Sequence, residues 1–195
     1  MVISRWRIAP HLLSAIRYQL AIMSHLEQTL SALKEKLGAV VEDVTEFRGE
    51  TTITVAKAAI VEVLRFLKET PELGYNFLAD VTAYDDWPEE PRFHIVYQLR
   101  ALTPMTSLRV KCAVHGDEPT LPSITSVYRG ANWSERELFD MFGIQVTGHP
   151  DLRRLLMPSD WEGHPLQKDY PLGYEEVQFT FNFNEIDKKK PYAKE

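Results

Sequence analysis

The sequence predicts an α+β fold: a two-layer sandwich in which one mixed β-sheet carries helices on one face, followed by an extended C-terminal arm. Three observations predict it. Apolar residues recur at helical spacing in two segments. β-Branched, strand-like runs fill the stretches around them, giving the order α-β-β-α-β-β-β. Sustained periodicity then stops at Ile144, although apolar side chains continue to the end. The 195 residues, 44% hydrophobic and 26% charged, suffice for one domain with a substantial core.

Leu26, Leu30, Leu33 and Leu37 fall at i, i+4, i+7 and i+11 and mark the first helix, closed by Gly38. Ser24 and Glu27 have capping-box spacing, which puts its start just after Met23. Residues 1–26 hold Arg5, Arg7 and Arg17, while all 28 acids lie beyond them. Residues 1–22 therefore read as a disordered leader, either a targeting peptide or upstream readthrough. A strand over 40–47 turns at Arg48-Gly49-Glu50 into the β-branched run 51–55. Ile60, Val63, Leu64 and Leu67 mark the second helix, stopped near Pro71 and Gly74. Strands follow near 77–84, 93–102 and 108–114, with the loop 85–91 between the first two. This core domain is expected over 23–147 and the arm over 148–195.

The densest chemistry lies at the boundary, in Ser134-Glu135-Arg136-Glu137-Leu138-Phe139-Asp140-Met141-Phe142-Gly143. Ser134 and Glu137 have capping-box spacing, and Trp133 can close over Leu138 as a staple. Arg136 can pair with Asp140 one turn on. Gly143 supplies a left-handed C-terminal stop. These signals predict two turns over about 135–142. Leu138, Phe139, Met141 and Phe142 nearly encircle that helix, so it is buried on most sides, with the acids on a narrow strip. Beyond it come Gly148-His149-Pro150, Asp151-Leu152-Arg153-Arg154-Leu155-Leu156 and a second Gly-His-Pro at 163–165. Leu172, Phe179, Phe181 and Phe183 add apolar surface that disordered tails lack. The expectation is an arm that buries itself against another protein.

Several chemistries are excluded. One cysteine, Cys112, rules out an internal disulfide and any all-cysteine iron–sulfur or zinc site, and its apolar setting reads as a small core residue. A net charge of −6 without a basic stripe argues against nucleic acid. No apolar run reaches membrane-spanning length. There is no glycine-rich phosphate loop and no nucleophile elbow. His149 and His164, with Asp151, Asp160 and Asp169, can be drawn as a metal site, but both imidazoles precede proline and lack paired helical spacing. Glu135, Glu137 and Asp140 can be drawn as general acids or bases. Pairing with the nearby arginines accounts for them more simply.

Taken together, Glu135-Arg136-Glu137, Asp140-Met141-Phe142, His149, Arg153 and Leu155-Leu156 resemble the signature of the C-type subunits of the proton-translocating NADH:quinone oxidoreductase, respiratory complex I. The flanking Ala131-Asn132-Trp133 and the block from Trp161 to Leu172 are similar to it too, with weaker likeness at 77–85 and 92–97; the resemblance spans about residues 24–173. It implies a scaffold in the hydrophilic arm that packs mainly on the D-type subunit, with the B and I types nearby. NAD, FMN, iron–sulfur clusters and quinone would belong to those partners. It implies no catalytic, cofactor-binding or metal residue here. Glu135, Arg136, Glu137, Asp140, His149 and Arg153 would serve structure or interface. Their guanidinium–carboxylate pairs, together with Arg154, are expected at the partner boundary, where such pairs set register. The implied location is the cytoplasmic side of a bacterial inner membrane (matrix or stroma in organelles), with membrane contact only through the complex. Two other readings stand beside it: the equivalent component of a membrane-bound hydrogenase or a ferredoxin- or F420-linked dehydrogenase, and a free-standing metal-dependent hydrolase using His149 and His164.

Overall fold

Alternation between buried and open positions builds a five-stranded mixed sheet in the order β1-β2-β5-β4-β3. The strands are β1 (Val41–Phe47), β2 (Glu50–Val55), β3 (Phe77–Asp85), β4 (Phe93–Ala101) and β5 (Thr106–Val114). This computed structural model describes residues 10–103, 105–171, 181 and 183–189. β2 and β5 run parallel and the other pairs antiparallel. Arg48 and Gly49, with φ of 51° and 79°, form the two-residue turn joining β1 to β2, a geometry matched to strand twist. In β4, Phe93, Ile95, Tyr97, Leu99 and Ala101 are buried, while the residues between them face the open side.

Helices cover the buried face. α1 (Pro10–Leu37) contributes Leu33, fully buried, with Leu26, Leu30 and Leu37 partly so. α2 (Ile60–Glu69) buries Ile60, Val63, Leu64 and Leu67, the predicted stripe. α3 (Ala131–Phe142) adds Leu138, Met141 and Phe142 to the same core, and Phe142 meets Phe93 edge-on at 6.4 Å. The α+β class and element order are as the sequence predicts.

Three boundaries differ. α1 is already helical at Pro10, so Ser24 lies inside it and no capping box forms there; the expected leader is helical from residue 10 onward. α3 begins four residues early, at Ala131, after the turn in which Val127 and Tyr128 donate to the Ile124 carbonyl. Two short strands, β6 (Thr120–Pro122) and β7 (Gln145–Thr147), and a last helix, α4 (Phe183–Lys189), are not predicted by the sequence patterns. β6 and β7 are parallel, and α3 is the crossover that parallel pairing requires. That unit delivers the chain to the start of the arm beside α3. Leu172, Phe179 and the end from Lys190 on, counted with the arm, lie outside the described residues, as do residues 1–9.

Candidate functional site

α3 and the segment that folds along it form the site. With the helix starting at Ala131, positions 131, 135, 138 and 142 make one stripe, so Glu135 sits on the apolar face and is fully buried. Its carboxylate accepts from the Ile124 amide and the Ser123 hydroxyl, both at 2.7 Å. Burial pushes this carboxyl above its usual range; the Ile124 and Ser123 hydrogen bonds and His149 only partly offset that. His149 lies 3.9 Å away with its side chain wholly covered. Its Nδ1 accepts from the Asp151 amide at 3.0 Å, which leaves Nε2–H to donate to the Asn132 carbonyl at 3.1 Å. Neither nitrogen has a lone pair left for a metal.

The raised Glu135 carboxyl ties stability to pH. The folded chain holds this proton to higher pH than the unfolded chain does. The group's contribution is therefore best below the unfolded value and is lost as pH rises through the folded one. Urea denaturation from about pH 4 to 8 should show a decline that Glu135→Gln flattens. A difference between the two proteins that is constant with pH would contradict this.

Asp140 is the centre of the second cluster. One oxygen receives Arg154 at 2.7 Å; the other accepts the amides of Leu155, Leu156 and Met157 at 2.9, 2.6 and 2.9 Å. Burial pushes this carboxyl up, but the three amides and the guanidinium outweigh it and hold it below the ordinary range. Arg154 also donates to the carbonyls of Trp161 and Gly163. The Arg136–Asp140 pair expected along the helix is not made. Arg136 instead donates to the carbonyls of Arg153 and Arg154, and its guanidinium lies 5.3 Å from the Trp133 ring centroid. No side-chain cap forms at the helix start, and Trp133 is 59% exposed rather than stapled over Leu138.

The Gly163-His164-Pro165 block has the structural role expected of histidines that hydrogen-bond backbone, and its target is the end of α3. A helix leaves its last four carbonyls without intrahelical donors. Here the Phe139 carbonyl takes the Gly143 amide, Asp140 takes His164 Nδ1, Met141 takes the Leu166 amide and Phe142 takes Gln167 Nε2. Every orphan is satisfied. Gly143 has the predicted left-handed conformation, φ 77°.

A third cluster went unpredicted. Asp85, at the end of β3, accepts from the Trp87 amide, from Arg92 through Nε and a terminal nitrogen, and from the Lys168 amide at 2.8 Å. Arg92 also pairs with Asp169. Burial raises the Asp85 carboxyl, and the Arg92 fork with the two amides overcomes that to leave it below its usual value. A signal was available: Val81, Ala83 and Asp85 share one strand face, so the acid continues a buried alternation.

Two of the six singled-out residues face out. Glu137 is exposed and makes no hydrogen bond or ion pair among the described residues. Arg153 is 76% exposed and pairs with its neighbour Asp151. Trp133, Leu156 (62%) and Leu166 (51%) also expose large apolar side chains, while Met157 packs on the core. Cys112 is buried, and burial pushes its thiol up to about 12, which leaves it inert. Among the described residues no group of three or more His, Cys, Asp or Glu is placed to hold a metal. No described helix is long and apolar enough to cross a membrane.

The family described as respiratory-chain NADH dehydrogenase, 30 kDa subunit, matches residues 53–176, which include all six of these residues. The chain belongs to that family. Relatives of this 30 kDa family agree. The C subunit of NADH-quinone oxidoreductase from Roseiflexus sp. (strain RS-1) is 50% identical over 165 residues, covering 83% of this chain and 95% of the relative. The C subunit from Geobacter sulfurreducens is 47% identical over 151 residues, 77% of this chain and 92% of its own. A solved trypsin-resistant fragment of Nqo5 superposes with TM-score 0.56 at 30% identity, covering 66% of this chain and 99% of the fragment. A chain of an archaeal membrane-bound sulfane sulfur reductase superposes with TM-score 0.65 at 22% identity, covering 87% of this chain and 95% of its own; that likeness concerns the fold alone. Within the family match, Arg136, Asp140 and His149 tie α3 to the segment that follows it, Met141 and Phe142 are buried, and Trp133, Leu156 and Leu166 remain exposed.

Proposed function

We propose that this chain is a non-catalytic scaffold in the peripheral arm of NADH:quinone oxidoreductase. It keeps in register the subunits that pass electrons from NADH through FMN and iron–sulfur clusters to quinone while protons are translocated. Its principal partner is the D-type subunit, with the B and I types adjacent, on the cytoplasmic side of the membrane (matrix or stroma in organelles).

The observation that supports this is the two-sidedness of the α3 region. Asp140 and Asp85 are each held by a guanidinium and backbone amides, and Glu135 is fully buried on the apolar face of α3, so none of these carboxyls is presented to a substrate. The region's outer side instead presents Trp133, Leu156 and Leu166 beside Glu137 and Arg153. Large apolar side chains left exposed beside buried, fully folded elements suit a protein interface, whose energetics Trp and Arg dominate.

An affinity-tagged chain expressed in its native host should copurify with its D-type partner and, through it, with the B and I types. Glu137→Ala and Arg153→Ala should reduce that capture severalfold. Both are exposed, so the isolated chain should change by no more than about 0.5 kcal/mol. Recovery of the wild-type chain alone, as a monomer, would contradict the proposal.

A further inference from the structure

We infer that the segment 149–170 is a docking ledge built before any partner arrives, fixed by two separate carboxylate clamps, Asp140 and Asp85. The use of the ledge for docking rests on the scaffold reading; its prior order does not.

A segment with no regular structure must still satisfy its backbone polar groups. One that ordered only on binding would leave those groups to the partner. Here this chain supplies the partners. Asp140 takes three consecutive amides, 155 to 157, and Asp85 takes that of Lys168. Arg136 serves the carbonyls of 153 and 154, Arg154 those of 161 and 163, and the Tyr170 hydroxyl that of 162. Between the clamps, the Leu166 amide and the side chains of His164 and Gln167 dock on the end of α3. These contacts join residues 7 to 83 apart in sequence.

Asp140 projects from α3 and Asp85 from the end of β3, so the two anchors sit on different elements and hold different parts of the ledge. A partner then needs to give no hydrogen bond to the amides of 155–157, 166 and 168 or to the carbonyls of 153, 154 and 161–163. The surface it meets is one of side chains: Trp133, Leu156 and Leu166, with Glu137 and Arg153. The fitting partner is a second polypeptide with an apolar recess, a cation facing Glu137 and a carboxylate facing Arg153. Binding to a preformed ledge avoids the ordering cost that a coupled-folding segment incurs.

Hydrogen exchange on the isolated full chain tests this. In the wild type, the amides of Leu155, Leu156, Met157, Leu166 and Lys168 should exchange roughly a hundredfold or more slower than in an unstructured peptide. Asp140→Asn should release 155–157 and spare Lys168; Asp85→Asn should do the reverse. Amides of β4 and β5 should stay protected in both variants. Peptide-like exchange at 155–157 and 168 in the wild type, with β4 and β5 protected, would overturn the inference and leave the scaffold reading to its copurification test. Simultaneous release of both clamped segments, or of the sheet, by either variant would overturn the assignment of two separate clamps.

Discussion

Asp140→Ala is expected to cost the isolated chain about 3–5 kcal/mol, the range for breaking a buried ion pair from one side. The carboxylate has no solvent exposure, and Arg154 has only 17%. Alanine would remove the guanidinium's carboxylate partner, leaving it the carbonyls of Trp161 and Gly163, and strand three amides at once. Asp140→Asn fills the same space but loses the charge that draws the guanidinium and the amides, and should cost less. Urea midpoints of the three proteins at neutral pH give the comparison; an alanine variant within about 1 kcal/mol of wild type would show that Asp140 does not hold the segment.

Acid should mimic the same loss. Asp140 and Asp85 have folded values below the ordinary one, so the stability they contribute is present above the unfolded carboxyl value. It disappears as pH falls through the depressed folded values, below about 4. Glu135 responds with the opposite sign, which separates the clamps from the core acid on one pH axis.

Gly143→Ala is expected to cost about 2 kcal/mol or more, from two sources. The left-handed conformation disfavours any Cβ by about 1–2 kcal/mol. The new methyl would also sit 2.6 Å from Cδ2 of His164. That ring cannot simply swing away, since its Nδ1 holds the Asp140 carbonyl and its edge meets Phe139 at 6.0 Å. In a His164→Ala background the collision with the ring vanishes, and the cost should fall to the backbone share plus the milder 3.2 Å approach to Gln167 Nε2. Equal costs in both backgrounds would show that the helix end and the ledge are not in the contact described.

The two amphipathic helices, the hairpin and the three later strands were readable because their signals are periodic and local. The site was only partly so. Ser24 and Ser134 both have a glutamate three residues on, yet neither caps a helix, because the preceding residues continue the helix and bury their own apolar positions. With α3 started too late, Glu135 appeared to share an outward strip with Glu137, whereas the two point to opposite sides. The sequence also sent the pairs of Arg136, Arg153 and Arg154 with Glu135, Glu137 and Asp140 to a partner boundary; Asp140–Arg154 instead forms within the chain, as does the unpredicted Asp85–Arg92. Periodicity cannot report a contact between residues 14 or 83 apart. Apolar content after Ile144 did not reveal its distribution: Met157 packs on the core, while Leu156, Leu166, Phe181 and Phe183 stay exposed.

The most direct measurement is quinone reductase turnover per assembled complex for the Glu137→Ala, Arg153→Ala double variant, with the amount of D-type partner quantified in the same preparation. The scaffold account predicts fewer assembled complexes, each turning over at the wild-type rate. Full assembly with the normal amount of that partner and lost turnover would contradict it and give this surface a direct part in the reaction.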